Sequence, residues 1–130
     1  MAEEILVTDF LSNEMIAAGK NLVEQLDIDK AAIERAFWLY NSEEKRWKLV
    51  IISKLVDDQG PKSFYNKIVS ANSNIGSQII SLNDIEAAGL NHKIAKLLGF
   101  IVGATKGIGG ARLSRNTING VFIEDVYLYR

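Results

Sequence analysis

The 130-residue sequence has no cysteine, one proline and one histidine. Without cysteine there is no disulfide framework, no thiolate nucleophile and no cysteine-based zinc site. His92 alone supplies neither a multi-imidazole metal site nor a set of histidine-paired nucleophiles. No apolar run approaches the roughly eighteen residues that span a bilayer. The opening MAEEILVTDF carries acids where a secretion signal carries Lys or Arg. These absences lead us to expect a cytoplasmic protein with no membrane contact. Repeats and low-complexity tracts are missing too, so one domain over residues 1–130 is expected.

The charge that is present is unevenly spread. Fifteen Lys and Arg against sixteen Asp and Glu give a net −1. Residues 1–60 hold twelve acids and seven bases, net −5, and residues 61–130 hold four acids and eight bases, net +4. Between Ala87 and Ile123 there is no acid, while Lys93, Lys96, Lys106, Arg112 and Arg115 supply five bases. A local positive field is compatible with the neutral total.

Apolar periodicity sets the expected elements. Leu11, Met15, Ala18, Leu22 and Leu26 fall on one helical face, so a first helix is predicted over Thr8–Leu26, opened by Thr8 or Asp9. Ile33–Tyr40 and Trp47–Ser53 read as a hairpin, and a four-residue loop Asn41–Glu44 would set Trp38 opposite Trp47. The second run is apolar on both faces, as an interior strand is. Asp57, Asp58, Gln59 and Gly60 read as a turn, and Pro61 opens a second helix with Phe64, Tyr65, Ile68 and Val69 inward. Ser77–Leu82 is assigned as a third strand, with Asn83–Gly89 either extending it or starting a helix through Asn83 and Glu86.

Ile94, Leu97, Leu98 and Ile101 predict a third helix over Asn91–Val102, capped by Asn91 and ended by Gly103. Asn119-Gly120 between two β-rich runs marks a closing hairpin, since both turn positions need positive φ. The expected fold is two-layer α+β, with about five mostly antiparallel strands in two hairpins and about three helices covering the sheet.

Val102–Ala111, VGATKGIGGA, resembles the cofactor loop of the short-chain dehydrogenase/reductase family, Thr-Gly, three residues, then Gly-x-Gly. The resemblance implies a backbone cradle for a dinucleotide pyrophosphate between a strand and a helix. Here Val102 replaces the threonine, a helix precedes the loop and a hairpin follows. Only twenty residues remain after Gly110, and no Tyr-x-x-x-Lys pair occurs. The likeness covers about ten residues without the context that gives the motif meaning, so no cofactor is assigned.

The bases and glycines of the same stretch are candidates for another ligand. Lys93, Lys96, Lys106, Gly107, Gly109, Gly110, Arg112 and Arg115 would bind phosphate or nucleic acid if backbone N–H groups formed an anion nest beside the cations. Strand alternation puts Arg112 and Ser114 on one face and Arg115 on the other, and hairpin register sets Arg115 opposite Glu124 as a cross-strand ion pair. Trp38, Tyr40 and Trp47 near Lys45, Arg46 and Lys48 read as hairpin core or as a stacking surface. Asp57 and Asp58 are the carboxylates placed for a metal-dependent phosphoester hydrolase, although no Glu-x-Lys or Asp-x-Lys pair accompanies them on a strand. His92 is expected at the surface in the first turn of its helix.

AFWLYNSEEKRWKLVIISKLVDDQGP and LSRNTINGVFIEDVYLYR resemble a set of small bacterial proteins without assigned function. The resemblance implies a compact bacterial domain and carries no site residue. The functional expectation is a small cytoplasmic, non-catalytic module that binds a protein partner or itself, with no cofactor or metal. The alternative is phosphate-ligand or nucleic-acid binding through Lys93–Arg115, and the third reading is the hydrolase.

Overall fold

The computed structural model describes residues 10–76, 79–102 and 110–130, the side chains of 101 and 102 excepted. Helix α1 spans Asn13–Ile28, and strands β1 (Ile33–Asn41) and β2 (Arg46–Ser53) follow. Helices α2 (Lys54–Gln59) and α3 (Pro61–Ile75) lead through a short 3-10 turn, Leu82–Asp84, to β3 (Ile85–Ala88). Helix α4 (Lys93–Val102) and strands β4 (Ala111–Ile118) and β5 (Val121–Leu128) complete the order. The five strands form one sheet in the order β3-β2-β1-β5-β4. All neighbours are antiparallel except β2 and β3. The helical crossover α2–α3 explains that exception, because only a crossover can return a strand parallel to its predecessor. The α+β expectation with two hairpins is therefore realised, with one helix more than expected.

Apolar residues alternate to both faces of the central strands. Ala36, Trp38, Leu49 and Ile51 join Leu22, Val23, Leu26, Phe64 and Ile68 in one core beneath α1 and α3. Phe37, Val50, Ile52, Val126 and Leu128 join Ala95 and Leu98 of α4 in a second core on the other face. A buried leucine or phenylalanine in either core contributes about 1.5–3 kcal/mol. At the end of the first core the Trp38 indole N–H donates to the Tyr129 hydroxyl at 2.9 Å, which donates to the Ile16 carbonyl at 2.5 Å. Burial pushes the Tyr129 hydroxyl above its ordinary pKa.

Several local expectations are corrected. Ser12, rather than Thr8 or Asp9, caps α1 and accepts from the Met15 N–H at 3.1 Å; Phe10 and Leu11 are not helical, and Thr8 and Asp9 lie outside the described residues. The first hairpin pairs Tyr40 with Trp47 and Trp38 with Leu49, because the loop is residues 42–45 and not Asn41–Glu44. Asn41 sets that loop by accepting from the Glu43 and Glu44 N–H groups, and Lys45 closes it with φ 52°. Asp57 and Asp58 belong to α2, which Ser53 caps from a buried position, and not to a turn. Of the four residues expected inward on α3, Val69 is exposed, Phe64 and Ile68 are buried, and Tyr65 packs against the first core half-buried. The third strand is Ile85–Ala88, not Ser77–Leu82: residues 79–81 are not strand, and Ser77 and Gln78 lie outside the described residues.

The closing hairpin turns at Asn119 and Gly120, whose φ of 49° and 79° are both left-handed as expected. Its ladder runs from Ile118–Val121 to Ala111–Leu128 but omits Arg115, which has φ 52°. In β5 the buried positions change from Ile123 to Val126 and Leu128, a spacing of three where regular pleating gives two or four. The pleat thus reverses at Arg115 without a change of register.

Candidate functional site

The sequence candidates do not gather at one place. Lys93 and Lys96 are exposed on α4, which packs on the second core. Arg112 lies over the ring of Trp47, 5.4 Å from its centroid, and Trp47 belongs to the first core. The sheet therefore stands between Arg112 and α4. Gly110, φ 77°, lies against the Tyr127 hydroxyl. Lys106, Gly107 and Gly109, and with them the proposed nest and the terminator Gly103, lie outside the described residues.

Arg112 is already engaged. Its Nε and terminal guanidinium nitrogen donate to the two Asp125 oxygens at 3.0 and 2.7 Å, and Ser114 Oγ donates to Asp125 at 2.9 Å. Burial pushes the Asp125 carboxyl up. The hydrogen bonds from Arg112 and Ser114 and the charge of Arg112 outweigh burial and hold the group below its ordinary value. The Asp125 hydrogen bond in turn raises Arg112. The expected Arg115–Glu124 pair does not form: the ladder has no bridge at that position, where Arg115 is left-handed, and the ion pair of this hairpin is Arg112–Asp125. Arg115 is exposed and has no ion-pair partner among the described residues.

His92 is more constrained than the sequence suggests. It replaces Asn91 as the α4 cap: its carbonyl accepts from Lys96 N–H at 3.0 Å, and its Nδ1 accepts from Ala95 N–H at 3.2 Å. With Nδ1 as acceptor, Nε2 carries the proton that faces Glu86 Oε2 at 3.2 Å. The ring also meets Phe37 edge-on at 6.0 Å. The hydrogen bond from His92 is the main cause of a lowered Glu86 pKa, with burial opposing it and the charge of Lys48 adding to it. Both imidazole nitrogens are engaged, so the ring has no lone pair left for a substrate proton.

Of the two carboxylates of the hydrolase reading, Asp57 holds a turn. Asp57 Oδ2 accepts from the Leu90 N–H at 3.0 Å, and a Cβ at Gly89 would fall 2.1 Å from Asp57 Oδ1. Glycine at 89 lets that carboxylate hold the turn after β3. Among the described residues no three His, Cys, Asp or Glu side chains are grouped to hold a metal. Trp38 and Trp47 are 1% and 4% exposed, too buried to stack on bases. An open polar groove of about 460 Å³ runs between Asp29, Gln59 and the α3 residues Ser63, Asn66, Lys67, Ser70 and Asn74. It lacks the apolar lining of a typical small-molecule site.

The two edges of the sheet differ in a way the sequence scan missed. At β3 the Tyr65 hydroxyl, brought in by α3, accepts from the Ala87 N–H at 3.0 Å and donates to the Ile85 carbonyl at 3.3 Å. One side chain thereby occupies the backbone groups that would otherwise receive another strand. Strand β4 is eight residues long against four for β3, and among the described residues its ladder partner is β5 alone. On its open side Asn116 Nδ2 donates to the Ser114 carbonyl at 3.3 Å. Six of the eight β4 residues are exposed, and Leu113 and Ile118 are half-buried.

No protein family, curated protein or solved structure matches this chain. Among the described residues no helix is long and apolar enough to cross a membrane.

Proposed function

We propose that the protein is a non-catalytic binding module of the bacterial cytoplasm that engages a protein partner along the outer edge of β4. The observation that carries this reading is the asymmetry of the sheet: Tyr65 plugs β3, while β4 keeps an eight-residue edge with β5 as its ladder partner among the described residues. An open edge is a template for another strand, and strand addition is a recurring mode of protein recognition. The engaged nitrogens of His92 and the structural bond of Asp57 support the absence of catalysis.

The test is a photo-cross-linking amino acid placed at Thr117, with Ser70 as the control position. Adducts at 117 that disappear when Ser114→Pro is added, with none at 70, support the edge. Adducts at both positions, or at neither, contradict it.

A second reading rests on α4. Lys93, Lys96 and Phe100 share one helical face by their spacing of three and four, and Phe100 is 74% exposed. Two cations beside an exposed ring can hold a phosphate backbone and stack a base. A salt-sensitive mobility shift of single-stranded DNA or RNA, abolished by Lys93→Ala with Lys96→Ala and unaffected by Thr117→Pro, would favour this reading.

A further inference from the structure

Resting on the edge-binding reading, we propose that the occupant of β4 is an extended acidic segment of a partner protein, added as a sixth strand and selected by Arg115. The backbone defines where it attaches. The Tyr129 N–H donates to the Ala36 carbonyl at 2.9 Å, so odd residues of β5 serve β1 and even residues Val126 and Leu128 serve β4. Their partners Leu113 and Ala111 bond inward, which leaves Arg112 and Ser114 directed outward. Beyond the reversal at Arg115, closure of the two-residue turn makes Ile118 and Asn116 bond inward and leaves Thr117 outward. Arg112, Ser114 and Thr117 thus present backbone groups to an incoming strand, and the Asn116 amide on Ser114 is a contact that a stronger main-chain donor displaces.

Charge decides which strand is accepted. From Ala87 to Ile123 there is no acid, so no carboxylate of β4 itself competes for its cations. Arg112 is neutralised by Asp125, whereas Arg115 has no ion-pair partner among the described residues. A carboxylate at the matching position of an added strand gives Arg115 the cross-strand partner that Glu124 does not supply. A second copy of the chain does not supply that partner: aligning two β4 edges antiparallel over their length sets Arg115 opposite Ser114, and β4 contains no carboxylate. Edge cations commonly block indiscriminate pairing, and here they leave acidic strands as the complementary class.

The experiment titrates the whole ¹⁵N-labelled protein, at low salt, with a capped octapeptide alternating Glu and Val, with its Lys-Val counterpart, and with a single-stranded oligothymidine. The Glu-Val peptide is expected to shift the amides of Arg112, Ser114 and Thr117 and to leave Ala87 unmoved. It is expected to bind at least tenfold more tightly than the Lys-Val peptide, an order that Arg115→Glu reverses with the rest of the spectrum preserved. Thr117→Pro, which removes an outward donor without touching charge, weakens both peptides. Equal affinity for the two peptides, shifts centred on Lys93 and Lys96, or shifts of the β4 amides by oligothymidine alone would overturn the proposal. Cross-links at Thr117 together with equal peptide affinities would remove the acidic partner and leave the edge-binding reading standing. Absence of both would remove the two together.

Discussion

The two ends of the sheet meet the same physical problem in opposite ways. A terminal strand exposes backbone donors and acceptors that remain hydrated, find a side chain, or recruit another strand. At β3 a phenol from α3 occupies them, and the strand beyond is only four residues long. At β4 the strand is twice as long, its own arginines punctuate it, and a left-handed Arg115 interrupts its pleat. The contrast shows that being an edge does not determine behaviour; what matters is whether a neighbouring element supplies the missing hydrogen bonds.

The largest expected effect comes from placing proline at each edge in turn. Ala87→Pro removes the N–H that reaches Tyr65 and forces a ring into a 9% exposed site, so we expect a loss of about 2–4 kcal/mol in urea unfolding. Thr117→Pro removes a donor that the phase of the ladder directs away from β5 and is expected to change stability by no more than about 0.5 kcal/mol. Comparable losses at the two positions would erase the distinction.

Tyr65→Phe isolates the plug. The ring stays, while the Ala87 N–H and Ile85 carbonyl lose their shared partner, for an expected loss of about 1–2 kcal/mol and faster hydrogen exchange at Ala87. Unchanged exchange at Ala87 would show that the hydroxyl does not close β3.

The smallest effect is electrostatic and compares the carboxylate on β3 with the one facing β4. Glu86 and Asp125 are both held below their ordinary values of 4.5 and 3.8. A depressed carboxylate contributes stability above its unfolded pKa and loses it as pH falls through the lower folded value. Acid should therefore weaken both regions. His92→Ala should remove the Glu86 share and Asp125→Asn the Asp125 share, each below about 1 kcal/mol after solvent screening. A pH profile unaffected by either substitution would contradict these assignments.

What was legible in the sequence was local. Asn119-Gly120 announced a turn because few other pairs accept two positive φ values, and Pro61 marked the start of α3 for want of an N–H. The spacing of Leu97, Leu98 and Ile94 likewise revealed α4. Strand order was not legible, since it depends on contacts between distant segments, and β4's place at an edge was hidden with it. Tyr65 reads as an ordinary core aromatic until α3 is seen to deliver its hydroxyl to residues 85 and 87. The Arg112–Asp125 pair was missed because it is diagonal: the register sets Arg112 opposite Tyr127 and Asp125 opposite Ser114, and only directly opposite residues were paired. The basic run looked like one patch in the chain, yet its described members lie on different sides of the sheet, with α4 over the second core and Arg112 against the first.

The most direct test of the open-edge account is amide hydrogen exchange of the unmodified protein, read residue by residue at Thr117 and Ala87. The account predicts Thr117 near its intrinsic exchange rate while its neighbours Asn116 and Ile118 are protected, and Ala87 protected through Tyr65. Protection at Thr117 equal to that at Ala87, in a monomer without a partner, would contradict it.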